Sequence, residues 1–406
     1  MTFAKYITAM FLLLAVLAAL PCAWTQTYKV LYSFTGGEDG AFPQGVIVDS
    51  AGNVYGTTPA AGGEGGYYGS VYEISTSGQF TLLHSFGNTE QTPGGSTPFA
   101  TLARDSSGNL YGTTFYGGSN SSGVVFKLDQ NNNYSVLFSF PMPWGSPYDF
   151  GPLGSLAIDA QGDLYGAGPG GKYHCNSGSC GMVFKLDPSG NVSVLHSFAQ
   201  GKNGTYPNAG LIRDAAGNLY GTTTGGGKGG HGLVFKLDST GKEAVLYGFG
   251  KKPDGTNPEF GLVQDAAGNF YGTTDEGGLR GCPDAEGPLS CGVVFKVDPS
   301  GNETILYRFT GKADGGNPDG PLVIDSAGNL YGTAGWGTTK SGVIFKVDPA
   351  GNETVLYNFA GGAQGLGPQG GLAMDAQGSF YGTTYTGGDM SACNGYGCGV
   401  VFKFTP

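Results

Sequence analysis

Leu322-Val-Ile-Asp325-Ser-Ala-Gly328-Asn-Leu-Tyr331-Gly332-Thr333 is the stretch that decides the fold, because the chain repeats it seven times. The other copies carry Asp49/Gly52/Tyr55, Asp105/Gly108/Tyr111, Asp159/Gly162/Tyr165, Asp214/Gly217/Tyr220, Asp265/Gly268/Tyr271 and Asp375/Gly378/Tyr381. Their tyrosines fall 50 to 60 residues apart. A period of that size marks a repeat architecture, in which similar units share faces and make one body.

Working outward from this stretch, each repeat holds four runs of short apolar/polar alternation rich in Val, Ile, Tyr and Phe, the signature of strands. In the sixth repeat they are A (Leu322 to Ile324), B (Asn329 to Thr333), C (Gly342 to Val347) and D (Thr354 to Phe359). The A–B link reads Asp-x-x-Gly-Asn in most copies, and the C–D link is close to it, as in Asp348-Pro-Ala-Gly351-Asn352. Asp bonds the backbone two residues on, and Gly takes the left-handed position that closes a short hairpin. These Asp residues therefore read as turn formers rather than calcium ligands. Four antiparallel strands in seven units predict an all-β, seven-bladed β-propeller. The N-terminal run Lys29 to Phe34 has D character and the C-terminal run Val400 to Phe404 has C character, so the N-terminal strand is expected to complete the last blade. The aromatic residues recurring on B, C and D are expected to fill the wedges between blades.

Composition fits this picture. Glycine accounts for 78 of 406 residues, aromatics for 13% and charged residues for 13%. The net charge is −11 with four arginines, which argues against a nucleic-acid partner. Lys5, the apolar run Ile7 to Leu20 and Pro21-Cys22-Ala23-Trp24-Thr25 read as a secretory signal over residues 1–25, leaving 27–406 as a single propeller domain. The apolar run is short for a membrane span, and none is expected later. A secreted bacterial protein, extracellular or periplasmic and monomeric, is the expectation. Six further cysteines form local pairs, Cys175/Cys180, Cys282/Cys291 and Cys393/Cys398, which in an exported chain read as disulfides rather than zinc ligands.

The two faces of such a ring differ. A–B and C–D hairpins are uniform, whereas D–A and B–C connections are long and variable, so any site is expected on the D–A/B–C face near the central channel. Three D–A loops share the frame Asp-Gly-x-x-Pro, placing Asp39, Asp254 and Asp314 at equivalent positions; they suit either a turn or an acidic ring for a cation or sugar hydroxyls. No cofactor is expected, with calcium left open at these carboxylates, and no other metal. The repeat is most broken in blade three, where Trp144, Tyr148 and Asp149 enter the D–A loop and Tyr173 and His174 the B–C loop; blade six adds Trp336. Aromatic rings beside carboxylates make a sugar-binding composition. No nucleophile motif, His-rich metal spacing or phosphate loop occurs.

The recurring Val-Leu-Tyr-x-Phe, Asp-Gly-x-x-Pro, Asp-x-x-Gly-Asn-Leu-Tyr-Gly-Thr-Thr and Gly-Val-Val-Phe-Lys-Val-Asp-Pro-x-Gly series, over residues 28–404, resembles the GloVer-type tandem repeat of bacterial secreted "choice-of-anchor" proteins. The resemblance implies an exported, propeller-like protein and brings no catalytic residues. The functional expectation is a non-catalytic propeller that binds a glycan or another extracellular partner such as a protein. The alternatives are a carbohydrate-active lyase, hydrolase or lactonase-like enzyme with its site at the channel mouth, and a structural envelope protein.

Overall fold

The computed structural model describes residues 26–60, 68–87, 93–140, 151–175, 178–250, 253–279, 291–336 and 341–406. Residues 1–25, read above as a signal, and Cys282 lie outside the described residues, as does the loop holding Trp144, Tyr148 and Asp149. Seven antiparallel sheets carry the order A-B-C-D, in blades spanning 46–85, 103–139, 157–197, 212–248, 263–308, 323–358 and 366–405. In blade six A is Val323–Ile324, B Leu330–Trp336, C Val343–Val347 and D Glu353–Asn358. Strand B runs further than its sequence pattern because its end pairs with Gly316–Pro318 of the D–A loop. Blade seven contains Leu366–Met374, Phe380–Thr386 and Val400–Thr405, and Thr27–Ser33 pairs antiparallel with the last of these, Thr27 opposite Thr405 and Ser33 opposite Val400. Among the described residues no helix is long and apolar enough to cross a membrane.

The hairpin carboxylates are consumed by their own turns. Asp325 Oδ1 accepts the backbone N–H groups of Ala327 and Asn329, each at 2.9 Å, while Oδ2 accepts Asn329 Nδ2 at 2.7 Å and the Tyr331 hydroxyl at 2.9 Å. Burial pushes the Asp325 carboxyl up, but these donors outweigh it and hold it below its ordinary value. The B-strand tyrosine is thus tied to the turn that precedes it. Across the ladder Tyr331 faces Lys346, whose ammonium lies 5.9 Å from the ring centre. Six blades repeat this Lys-over-Tyr pair; in blade one Tyr55 faces Glu73, and Arg104 of blade two supplies the cation at 5.5 Å.

The wedges are built from one repeated contact. The Phe that ends each D strand meets the C-strand aromatic of the next blade edge to face. The pairs are Phe34–Tyr72, Phe86–Phe126, Phe140–Phe184, Phe198–Phe235, Phe249–Phe295, Phe309–Phe345 and Phe359–Phe402, at centroid distances of 5.0 to 5.4 Å and ring angles of 65 to 73°. All fourteen rings are buried. The invariant Gly of the B-strand Tyr-Gly step explains itself here. A Cβ at Gly56, Gly112, Gly166, Gly221, Gly272, Gly332 or Gly382 would lie 2.4 to 2.8 Å from the C-strand ring of its own blade.

Replacing Phe309 by Ala is expected to lower stability by about 3–5 kcal/mol, the ordinary cost of emptying a buried aromatic site. Gly332→Ala, which drives a methyl into Phe345, is expected to cost about 1–3 kcal/mol. Tyr396→Ala, at a residue 72% exposed, is the control and should change stability by less than about 0.5 kcal/mol. Denaturant midpoints of the three variants check this order.

Candidate functional site

The innermost ends of the blades surround a cavity of about 780 Å³ on the D–A side of the ring. A proline kept in all seven D–A loops, the last residue of the Asp-Gly-x-x-Pro frame where that frame is complete, builds it. In each blade the chain leaves the frame proline and turns into strand A, and the residue directly after that proline stands at the channel mouth. These residues are Gln44, Phe99, Leu153, Asn208, Glu259, Asp319 and Gln369, one from each blade. The first six line the cavity, and Gln44 Nε2 lies 3.5 Å from Gln369 Oε1. The proline is kept in every copy, while the residue after it changes in charge and polarity from copy to copy.

The result is an asymmetric mouth. Blades two and three contribute Phe99 and Leu153, both more than a third exposed, with Phe99 edge to face on Phe115 at 5.6 Å and Phe115 on Tyr116 at 4.8 Å. Blades five and six contribute the carboxylates of Glu259 and Asp319, with Asp275 behind them at the end of the blade-five B strand. Among the described lining residues there is no Lys, Arg or His. Amides complete the acidic arc: Asn257 Nδ2 donates to Glu259 Oε1 at 2.9 Å, and Asn317 Nδ2 donates to the carbonyl and Oδ1 of Asp275 at 3.1 and 3.2 Å.

All three acids are raised, and burial is the first cause in each. Burial raises Asp319 most, the negative charges of Asp275 and Glu259 add to it, and the result is about 7 despite a hydrogen bond from Gln369. Burial raises Asp275 against the bond from Asn317. It raises Glu259 as well, helped by Asp275 and Glu276 and opposed by Asn257. With its ionisation pushed up to about 7, Asp319 carries a proton over part of the population near neutral pH, so it can donate as well as accept a hydrogen bond.

Of the residues singled out from sequence, Asp39, Asp254, Asp314, Tyr173 and His174 lie outside the cavity lining. Asp39 accepts from the Tyr32 hydroxyl at 3.0 Å, from Thr35 N and Oγ1 at 2.8 and 2.7 Å and from Gly37 N at 3.1 Å. Asp254 accepts from the Tyr247 hydroxyl at 2.9 Å and Gly250 N at 2.7 Å, and Asp314 from the Tyr307 hydroxyl at 2.9 Å and Thr310 N at 2.7 Å. These carboxylates serve their own loops and do not line the cavity. Tyr173 is exposed with Lys172 Nζ 5.6 Å from its ring centre, and His174 lies in a two-stranded ribbon with Ser179, away from the cavity lining. Trp336 ends strand B of blade six opposite Gly316; its side chain is outside the described residues. Disulfides join Cys175 to Cys180 and Cys393 to Cys398. No group of three or more His, Cys, Asp or Glu side chains among the described residues is arranged to hold a metal ion.

Fold and cavity together define a class, the seven-bladed β-propeller with a channel mouth lined by the D–A loops. Within that class the chain belongs to the Gloeobacter/Verrucomicrobia repeat family, whose model matches residues 22–177 and 279–406. The stretch between the two matches contains all of blade four, which keeps the same turn and wedge contacts. No curated protein matches the sequence. Among solved structures, a streptogramin B lyase is 13% identical over 95% of this chain and 99% of that one, with a TM-score of 0.58. Virginiamycin B lyase from Staphylococcus aureus is 12% identical over 94% of this chain and 100% of that one, TM-score 0.57, and an inactive form of it was solved with quinupristin. Kuenenia stuttgartiensis hydrazine synthase is 15% identical over 86% and 94%, TM-score 0.53. At these identities the likeness is one of fold.

The raised Asp319 fixes the sign of a pH effect. Between its ordinary 3.8 and about 7 the folded protein holds a proton that the unfolded chain has released. Stability from this group is therefore greatest below the ordinary value and falls as pH rises through about 7. Glu243, Glu303 and Glu353 in the outer wedges, each also raised to about 7 by burial first, add to the same slope. The urea midpoint is expected to fall between pH 5 and pH 8, and to fall less in Asp319→Asn; equal slopes would show that the channel acid does not titrate as described.

Proposed function

We propose that this protein is an exported binding propeller that takes a glycan at its channel mouth. The observation that carries the reading is the asymmetry of the seven post-proline positions, with apolar Phe99 and Leu153 on blades two and three, Phe99 backed by Phe115, and the carboxylates Glu259 and Asp319 on blades five and six. Sugar rings offer C–H faces for Phe99 and Phe115 and hydroxyls for Asp319, Glu259 and the flanking amides. A mouth with this charge disfavours uronic acids, so neutral or amine-bearing sugars are the class proposed. The leader-like N-terminus and the paired cysteines support export. Trp144, Tyr148, Asp149, Tyr173, His174 and Trp336 of the variable loops are proposed as further ligand contacts on their composition alone. A protein partner on the same face remains the alternative occupant, and a monomer is proposed.

One observation favours a second reading, a carbohydrate-active enzyme. Asp319 and Glu259 are adjacent acids of shifted ionisation, which is how a general acid and a general base are held at one pH. The solved lyases that share the fold lend no more than the scaffold.

Melting of the purified protein against neutral, amino and acidic oligosaccharides tests both. A ligand present at 100 times its Kd adds about 2.7 kcal/mol of stability. Neutral or amino sugars should raise the melting temperature, and Phe99→Ala should abolish the rise. If Asp319→Asn keeps the rise but stops product formation in wild-type-active mixtures, the enzyme reading prevails. If no sugar shifts the wild type, the glycan assignment falls.

A further inference from the structure

The channel-ring residues are seated by the preceding blade. In six blades the residue before the frame proline donates its backbone N–H to the carbonyl that ends the previous B–C loop. The pairs are Phe42 to Cys398, Thr97 to Tyr68, Tyr206 to Cys180, Asn257 to His231, Asn317 to Cys291 and Gly367 to Ser341, at 2.8 to 3.1 Å. At every one of these donors the backbone is left-handed, with φ between 51 and 68°. That conformation costs an L-residue about 1–2 kcal/mol, and Thr97 is β-branched as well. The proline that follows then closes over the glycine opening the previous blade's C strand; a Cβ on that glycine would meet the proline Cδ at 2.2 to 2.8 Å. The next residue is the ring residue. Its place in the channel follows an unfavourable backbone that this cross-blade hydrogen bond and the ring-on-glycine contact help to hold.

Two of the accepting carbonyls belong to Cys180 and Cys398, both fully buried and each bonded to a cysteine five residues earlier. We infer that these two disulfides are positioning elements of the channel mouth: Cys175–Cys180 fixes the carbonyl that seats Tyr206 and so places Asn208, and Cys393–Cys398 fixes the one that seats Phe42 and so places Gln44. The covalent bridge spans a short loop, where a cross-link adds little to global stability, and its geometric effect falls on the neighbouring blade. Each bridge therefore acts across a blade boundary. At the Tyr68, His231 and Ser341 junctions the same carbonyl is not a cysteine's, which provides internal controls. The functional meaning rests on the channel mouth being the binding site; the seating itself does not.

Single-residue amide exchange on the full protein tests the inference without any ligand. The samples are the oxidised wild type, Cys175→Ala/Cys180→Ala and Cys393→Ala/Cys398→Ala. A dithiol-reduced wild type, in which two electrons and two protons pass to each cystine as the dithiol closes to its own disulfide, guards against a variant that fails to fold. Local opening should raise exchange roughly tenfold at Tyr206 in the first variant and at Phe42 in the second, with Thr97, Asn257 and Gly367 within about twofold of wild type. Reduction should raise both, and reoxidation should restore them. Unchanged exchange at Tyr206 and Phe42 would overturn the inference. So would an equal rise at all six amides, which would make the bridges general stabilisers. Either failure leaves the glycan reading standing, since no sugar enters the experiment.

Discussion

The ring stands on the edge-to-face contact between the Phe ending one blade and the C-strand aromatic of the next. Such a pair contributes about 0.5–1.5 kcal/mol beyond the area it buries, and it recurs in every wedge with nearly the same angle. Its geometry sets the other constraints. The C-strand ring lies over the B-strand glycine, so no side chain is tolerated there. The B-strand Tyr next to that glycine turns to the hairpin Asp, and the lysine across the ladder covers the Tyr ring. One packing contact thus accounts for the Tyr-Gly step and the Asp turn in each repeat, and for the Lys position in six of the seven. Because Phe34 follows directly on the N-terminal strand and packs on Tyr72 of blade one, the contact also spans the junction of the chain's two ends.

This explains why the fold was legible in the sequence. A contact made seven times leaves seven copies of the residues that make it, and a turn that consumes its Asp leaves Asp and Gly at a fixed spacing. The reading of hairpin Asp residues as turn formers follows from the same repetition, and Asp325 with its four donors is the physical reason. The family model covers the same repeats on both sides of blade four.

The channel mouth was far less legible. Its residues lie about fifty positions apart and meet only because seven A strands converge on one axis. Attention to the longest loops favoured Trp144, Tyr148 and Tyr173, where aromatics accumulate, whereas the cavity is lined mainly by D–A segments around the recurring proline, with Phe115 and Tyr116 beside them. The signal was present: Gln44, Phe99, Leu153, Asn208, Glu259, Asp319 and Gln369 each follow the D–A loop proline, and they change in charge and polarity from copy to copy. The frame acids Asp39 and Asp314 drew notice because they repeat, and repetition here reflects loop bonding. Likewise the second cysteine of each pair could be read as a bridge partner from sequence, but not as a backbone acceptor for the neighbouring blade.

Wedge-building and channel-lining positions are therefore separated within each repeat by only a few residues, with the proline as the boundary between them. The central claim is that binding resides at this ring of post-proline side chains. Its most direct test is a crystallographic screen of small fragments carrying hydroxyls, amines and flat apolar rings. The account predicts that bound fragments gather between Phe99 and Phe115 on one side and Glu259 and Asp319 on the other. Fragments that leave the channel empty and collect instead around Tyr173 and the outer B–C loops would contradict it.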